Sequence, residues 1–134
     1  MLQRLAFAVC IALAFGVPPA FAAMRVRETR FELTTPEGLR LGSQELVGAV
    51  MEIGDFDGTV FTARLDGVEP AAEDPTILLH RFSVRDRDGD WKPMCQADGY
   101  GRRAGFPVSG RWDAQGRYVK DEGSWFLACT SGSQ

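Results

Sequence analysis

The sequence predicts an all-β domain, a small barrel or sandwich of short antiparallel strands, and two patterns carry that prediction. Apolar side chains alternate in short runs, and turns rich in Gly, Pro and Asp divide those runs at spacings of about 8 to 12 residues. After residue 22, no apolar 3.6-residue period persists for about ten residues, as a packed helix would require. One helical segment is expected ahead of the domain, in a signal peptide.

That segment is residues 1–22. Arg4 is followed by an apolar run over residues 5–15, then Gly16-Val17-Pro18-Pro19 and the small-x-small end Ala20-Phe21-Ala22. These are the parts of a secretory signal, with cleavage expected after Ala22. A membrane anchor is the alternative, but a spanning helix needs roughly 20 apolar residues, and Gly16 and two prolines interrupt this run sooner. Cys10 lies inside the apolar run, too close to the start to serve as a lipid attachment site. Residues 23–134 then form a single β-rich domain without a membrane span, exported to the periplasm or the medium.

Strands are expected at residues 25–33, with Phe31 and Leu33 on one face, and at residues 46–53, a buried run of Val, Ile and Met. The turn Thr35-Pro36-Glu37-Gly38 lies between them, and the acidic turn Gly54-Asp55-Phe56-Asp57-Gly58 follows. Residues 59–65 alternate Phe61, Ala63 and Leu65 and end at an Asp66-Gly67 turn. A proline-bounded acidic loop over residues 70–75, with one helical turn at 71–74, precedes the longest alternating run, residues 76–85. There Leu78, His80, Phe82 and Val84 share a face. Residues 91–95, 106–112, 117–120 and 125–130 supply the last strands, separated by the glycine-rich loop 97–105 and the turns Asp113-Ala114-Gln115-Gly116 and Asp121-Glu122-Gly123.

Charge and cysteine content bound the function. Eighteen acidic against fifteen basic residues give a net charge of −3, and loss of the leader removes a further cation, Arg4. The arginines are interleaved with acids, so the clustered cations that phosphate binding needs are missing and nucleic acid is not an expected partner. Cys95 and Cys129 remain after the leader, an even pair in an exported protein, and a disulfide between them is expected. Closing a loop of about 35 residues stabilises by roughly 3 to 4 kcal/mol in the chain-entropy account. A zinc site or a reactive thiol is the alternative, although two cysteines without paired histidines fall short of a structural zinc ligand set.

Candidate chemistry is sparse, and the sequence by itself assigns no activity. Asp86-Arg87-Asp88-Gly89-Asp90 imitates the start of a calcium loop, but the required sixth-position glycine and twelfth-position glutamate are Trp91 and Ala97. No metal is therefore assigned; a looser site on Asp86, Asp88 and Asp90 is the residual candidate. His80, the only histidine, lies on an apolar strand face, where a hydrogen-bonded core role outweighs a catalytic one. No phosphate loop, nucleophile elbow or dinucleotide motif occurs, and no cofactor is expected. Binding is the better candidate than catalysis. Tyr100, Arg102 and Arg103, in an exposed loop, are the candidate contacts for an envelope protein or glycan. Trp91, Trp112 and Trp125 are expected to fill the core and cover the disulfide. The expected function is a binding or structural module of the bacterial envelope; a small hydrolase using paired carboxylates is the alternative.

Three segments carry a family resemblance: Trp91-x-Pro93-Met94-Cys95; Ala104-x-Phe106-Pro107-Val108-x-Gly110-x-Trp112-Asp113-x-x-Gly116; and Phe126-Leu127-Ala128-Cys129-Thr130-Ser131-Gly132. Together they resemble the first part of the ADYC domain, an uncharacterised domain of exported bacterial proteins, with a weaker likeness from about Leu46 onward. The resemblance implies a fold and a compartment, and no activity. Members of the family continue with further cysteines, a Gly-Tyr-x-Pro-Trp type segment and an Ala-Asp-Tyr-Cys signature, none of which follows before Gln134. A short variant or a truncated product is expected on that ground, and a longer relative would offer Cys95 and Cys129 other partners.

Overall fold

The computed structural model describes residues 23–54 and 58–132. Residues 1–22, the expected leader with Cys10, and the central part of the acidic turn, Asp55-Phe56-Asp57, lie outside the described residues. Eleven strands follow one another: β1 (Ala23–Arg27), β2 (Arg30–Thr34), β3 (Arg40–Gly42), β4 (Val50–Gly54), β5 (Val60–Pro70), β6 (Leu78–Arg85), β7 (Trp91–Pro93), β8 (Gly105–Ser109), β9 (Arg111–Trp112), β10 (Tyr118–Val119) and β11 (Trp125–Cys129). Among the described residues, a single 3-10 turn, Gln44–Leu46, interrupts them. Among the described residues, no helix is long and apolar enough to cross a membrane.

All pairings are antiparallel. β1-β2-β3 form a small sheet, β9 and β10 a two-stranded ribbon, and the large sheet runs β11-β8-β6-β5-β4. One edge of β6 takes β5 along most of its length. The other is shared, with β7 against Ser83 to Arg85 and β8 meeting His80. The expected choice between barrel and sandwich falls to the sandwich: β4 and β11 end the large sheet without pairing to each other.

The small sheet covers one face of the large one. Phe31 of β2, Leu46, Ala63 and Leu65 of β5 and Phe82 of β6 form the core, with Met24, Val26, Met51, Val84 and Trp125 packed around them. Phe31 is the hub. Its ring meets His80 at 5.1 Å, Phe82 at 6.1 Å and Trp125 at 4.8 Å, each near edge-to-face. Such pairs are worth about 0.5–1.5 kcal/mol beyond burial. On the opposite face of β6, Leu79 joins Ala71 and Ala104 in a smaller cluster with Ile77 and Phe106. The face predicted for β6 is therefore correct, since alternation sends His80 and Phe82 to one core and Leu79 to the other.

Several boundaries differ from the sequence prediction. The single strand expected over residues 25–33 is a hairpin, turning at Glu28-Thr29 with Glu28 at φ 56°. The buried strand expected over residues 46–53 begins as the 3-10 turn, and β4 starts at Val50 with alternate residues exposed, because it is an edge strand with one face toward solvent. β5 does not stop at Asp66-Gly67. It runs on to Pro70, and the apparent turn is a bulge between Leu65 and Gly67. The helical turn expected at residues 71–74 is a hairpin loop, closed by Ala71 N–H to Ile77 O at 2.8 Å and Ile77 N–H to Asp74 O at 3.0 Å. The strand expected over residues 106–112 breaks at Gly110, φ 116°, where the chain leaves the large sheet for the ribbon.

Cys95 and Cys129 form a disulfide, as expected for the two cysteines outside residues 1–22. It ties the segment after β7 to the end of β11.

Candidate functional site

β4 and β11 are opposite ends of the large sheet, yet both border one groove. Its volume is about 610 Å³, and its lining includes Ile53 of β4, Phe61 of β5, Met94, and Trp125, Phe126, Leu127 and Cys129 of β11. The ribbon overhangs it with Trp112, Asp113, Ala114 and Gly116. A second hollow of about 510 Å³ continues from it, sharing Ile53, Gly54, Trp112, Trp125 and Phe126 and adding Glu52 and Arg111. The large sheet therefore curls until its two edges face the same opening, and the apolar interior shows through.

The groove follows from the local sequence. β11 reads Trp-Phe-Leu-Ala-Cys, apolar on both faces, and every one of its residues is only half-buried. Alternation turns Trp125 and Leu127 toward the core around Phe31, and Phe126 the other way, 5.7 Å from Trp112. Trp112 is 50% exposed and also meets Tyr118 at 6.0 Å. The expectation that all three tryptophans fill the core is thus corrected for two of them. The ribbon stands off the sheet, and the rings that meet Trp112 are Phe126 and Tyr118, which leave half of it exposed. Trp91 lies half-buried on the outer face of the large sheet, between the Arg64 and Arg85 guanidiniums at 4.5 and 4.7 Å. Trp125 alone enters the core.

The sequence-derived contact residues lie elsewhere, in the loop before β8. Tyr100 is 81% exposed. Arg102 is held at 2.8 Å from Asp98 and 2.8 Å from Glu73, and its guanidinium lies 5.0 Å from the Tyr100 ring. Hydrogen bonding from the Thr130 hydroxyl and from Arg102 holds the Asp98 carboxyl far below the usual carboxylate range. Arg103 is exposed. The three side chains thus share a loop, but Arg102 already serves as its brace.

The calcium-loop mimic resolves into a turn. In Asp86–Asp90, Asp98–Arg102 and Asp113–Arg117 the Asp side chain accepts backbone N–H groups two and four residues on, at 2.8 to 2.9 Å. Thr35 to Leu39 repeats the closure with a threonine hydroxyl at 3.0 Å. In each, the fourth residue is a glycine with positive φ: Gly38, Gly89, Gly101 and Gly116. Asp86 also pairs with Lys92 at 2.9 Å, which lowers its pKa. Among the described residues, no group of three or more His, Cys, Asp or Glu side chains is placed to hold a metal, and Asp86, Asp88 and Asp90 are not gathered as ligands.

His80 is fully buried, with Nε2 2.8 Å from the Ser43 hydroxyl and Nδ1 3.1 Å from the Leu78 carbonyl. A carbonyl only accepts, so Nδ1 carries the proton and Nε2 accepts from Ser43. The Ser43 oxygen in turn accepts the Phe31 N–H at 2.8 Å. Burial lowers the His80 pKa to about 4, opposed by the Leu78 hydrogen bond. The Ser-His contact resembles a nucleophile and its base, but neither side chain reaches solvent, and the pair locks β2 to β6.

The hollow beside β1 and β2, about 640 Å³, mixes Arg25, Arg27, Arg40 and Lys120 with Glu28, Glu32 and Glu122 and favours neither sign of charge. The groove was missed in the sequence because its walls come from residues 53–61 and 94–129, which only the curl of the sheet brings together. The one available signal was the run Trp125 to Cys129, apolar on both faces and only half-buried.

Comparison with known proteins bears on these features. No curated protein matches the chain, and no solved structure does. The ADYC domain matches residues 43–134, more than half of the chain, from the serine that anchors His80 through both disulfide cysteines and the groove. The protein belongs to the ADYC domain family.

Proposed function

We propose that this chain is a non-catalytic binding module of an exported protein, and that it holds an apolar, ring-bearing side chain of an envelope protein in the groove between β4 and β11. The observation carrying this reading is the apolar wall of that groove: the half-buried Ile53, Phe61, Phe126 and Leu127 with the half-exposed Trp112. Its volume of about 610 Å³ falls within the usual range for ligand sites. A glycan would require free donors and acceptors. Among the described residues, the one carboxylate lining the groove is Asp113, and it is engaged by the Gln115 and Arg117 N–H groups at 2.9 and 2.8 Å. The same commitment speaks against a hydrolase with paired carboxylates there. Tyr100 and Arg103 remain a second contact surface, favoured by the braced loop that presents them.

Titration of the isotopically labelled domain with N-acetylphenylalaninamide, followed by NMR, tests the groove. Saturable shifts are expected at Ile53, Phe126 and the Trp112 indole. Trp112→Ala is expected to weaken binding about 3- to 10-fold without altering the fold. Shifts confined to Tyr100 and Arg103, or none, would remove the groove reading. Export rests on the leader and the cysteine pair. The intact mass of the product made with its leader, before and after reduction and alkylation, is expected to show loss of residues 1–22 and no thiol before reduction.

A further inference from the structure

We propose that Cys129 Sγ is a site of thiol exchange: a small-molecule thiol entering the groove opens the Cys95–Cys129 disulfide from the Cys129 side and remains attached there. This uses the shape of the groove but not the ligand proposed for it.

The two half-cystines differ in burial. Cys95, in the segment that follows β7, is 2% exposed. Cys129 is half-buried and lines the groove, on the same face of β11 as Trp125 and Leu127. A thiolate must reach the sulfur that it attacks, and access is one of the factors that select which sulfur reacts. In the exchange, the incoming thiolate's electron pair forms a bond to Cys129 Sγ, the Cys129–Cys95 bond breaks, and its electron pair leaves on Cys95 as a thiolate. No other oxidant or reductant is consumed.

Much of the fold should survive the opening. β11 keeps its five-residue pairing to β8, and the Thr130 N–H still reaches the Ala104 carbonyl at 2.9 Å. Met94 is held independently through its N–H to the Phe82 carbonyl, also 2.9 Å. What the disulfide alone supplies is the covalent tie between these two anchored segments. The product is a folded domain carrying a mixed disulfide in its groove and a sheltered thiol at Cys95.

The test incubates the oxidised, folded domain with reduced glutathione. Acid quenching, maleimide trapping at low pH and peptide mass spectrometry then locate the adduct. Glutathione on Cys129 with maleimide on Cys95, in at least a tenfold excess over the reverse pattern, is the expected result. An even distribution, a preference for Cys95, or exchange only in denaturant would overturn the proposal. The single variants provide a second measurement. The thiol of Cys129 in Cys95→Ser should react with a maleimide at least tenfold faster than that of Cys95 in Cys129→Ser, both under native conditions. Equal rates would overturn it as well. Neither result depends on whether N-acetylphenylalaninamide binds.

Discussion

Phe31 and His80 show how one polar side chain can sit in a small core without opening it. The imidazole meets Phe31 edge-to-face, and both its nitrogens have partners, Ser43 and the Leu78 carbonyl. Charging it would place a proton on Nε2, against the hydroxyl that now donates to it. The unfolded chain takes up a proton near pH 6.5, whereas burial delays uptake in the folded chain to about pH 4. This contribution to stability is therefore complete above about pH 6.5 and is lost as pH falls from there through 4. Its size is on the order of 3 kcal/mol. Denaturant titrations of the parent and His80→Gln should show their stability difference shrinking by that order between pH 7 and pH 4. A difference independent of pH would contradict the burial argument, as would an imidazole resonance titrating near 6.5 in the folded protein.

At the level of elements, the repeated five-residue turn is the unit from which the domain is assembled. Its pattern, an Asp or Thr followed three residues later by Gly, describes a type I turn ending in a left-handed glycine, a common closure for three-residue hairpin loops. Alanine in place of Gly89, Gly101 or Gly116 is expected to cost about 1–2 kcal/mol each, because a Cβ is strained at positive φ even where space is open. Gly99→Ala, where φ is not positive and no atom lies nearby, should be close to neutral in the same chemical denaturation series. These turns were legible in the sequence because the residue types encode the backbone shape. Others were not. The β1–β2 turn places Glu28 in the left-handed region without a glycine to mark it, and Asp66-Gly67 carries a turn signature where neighbouring strands make it a bulge. The disulfide was legible from the pair of cysteines outside residues 1–22. Trp112 was misplaced because whether a strand's outer face is covered depends on elements distant in sequence.

At the scale of the whole molecule, the sheet stops short of closing, and the opening leaves an apolar groove between its two edges. Edge strands are often guarded by charge, proline or a bulge. β11 has none of these, and β4 has the single charge of Glu52. The disulfide has a consequence for this architecture too. The loop between the half-cystines carries Tyr100 at its exposed crest, flanked by Gly99 and Gly101, and a chain cut there would still have its two parts joined through Cys95 and Cys129. Limited chymotryptic digestion should give one band on a gel without reductant and two with it, while the core signals around Phe31 persist. Tyr100 would then end one polypeptide and Gly101 would begin another, so the backbone at the crest is not what keeps the molecule whole: the covalent link between the two ends of that stretch runs through the half-cystines.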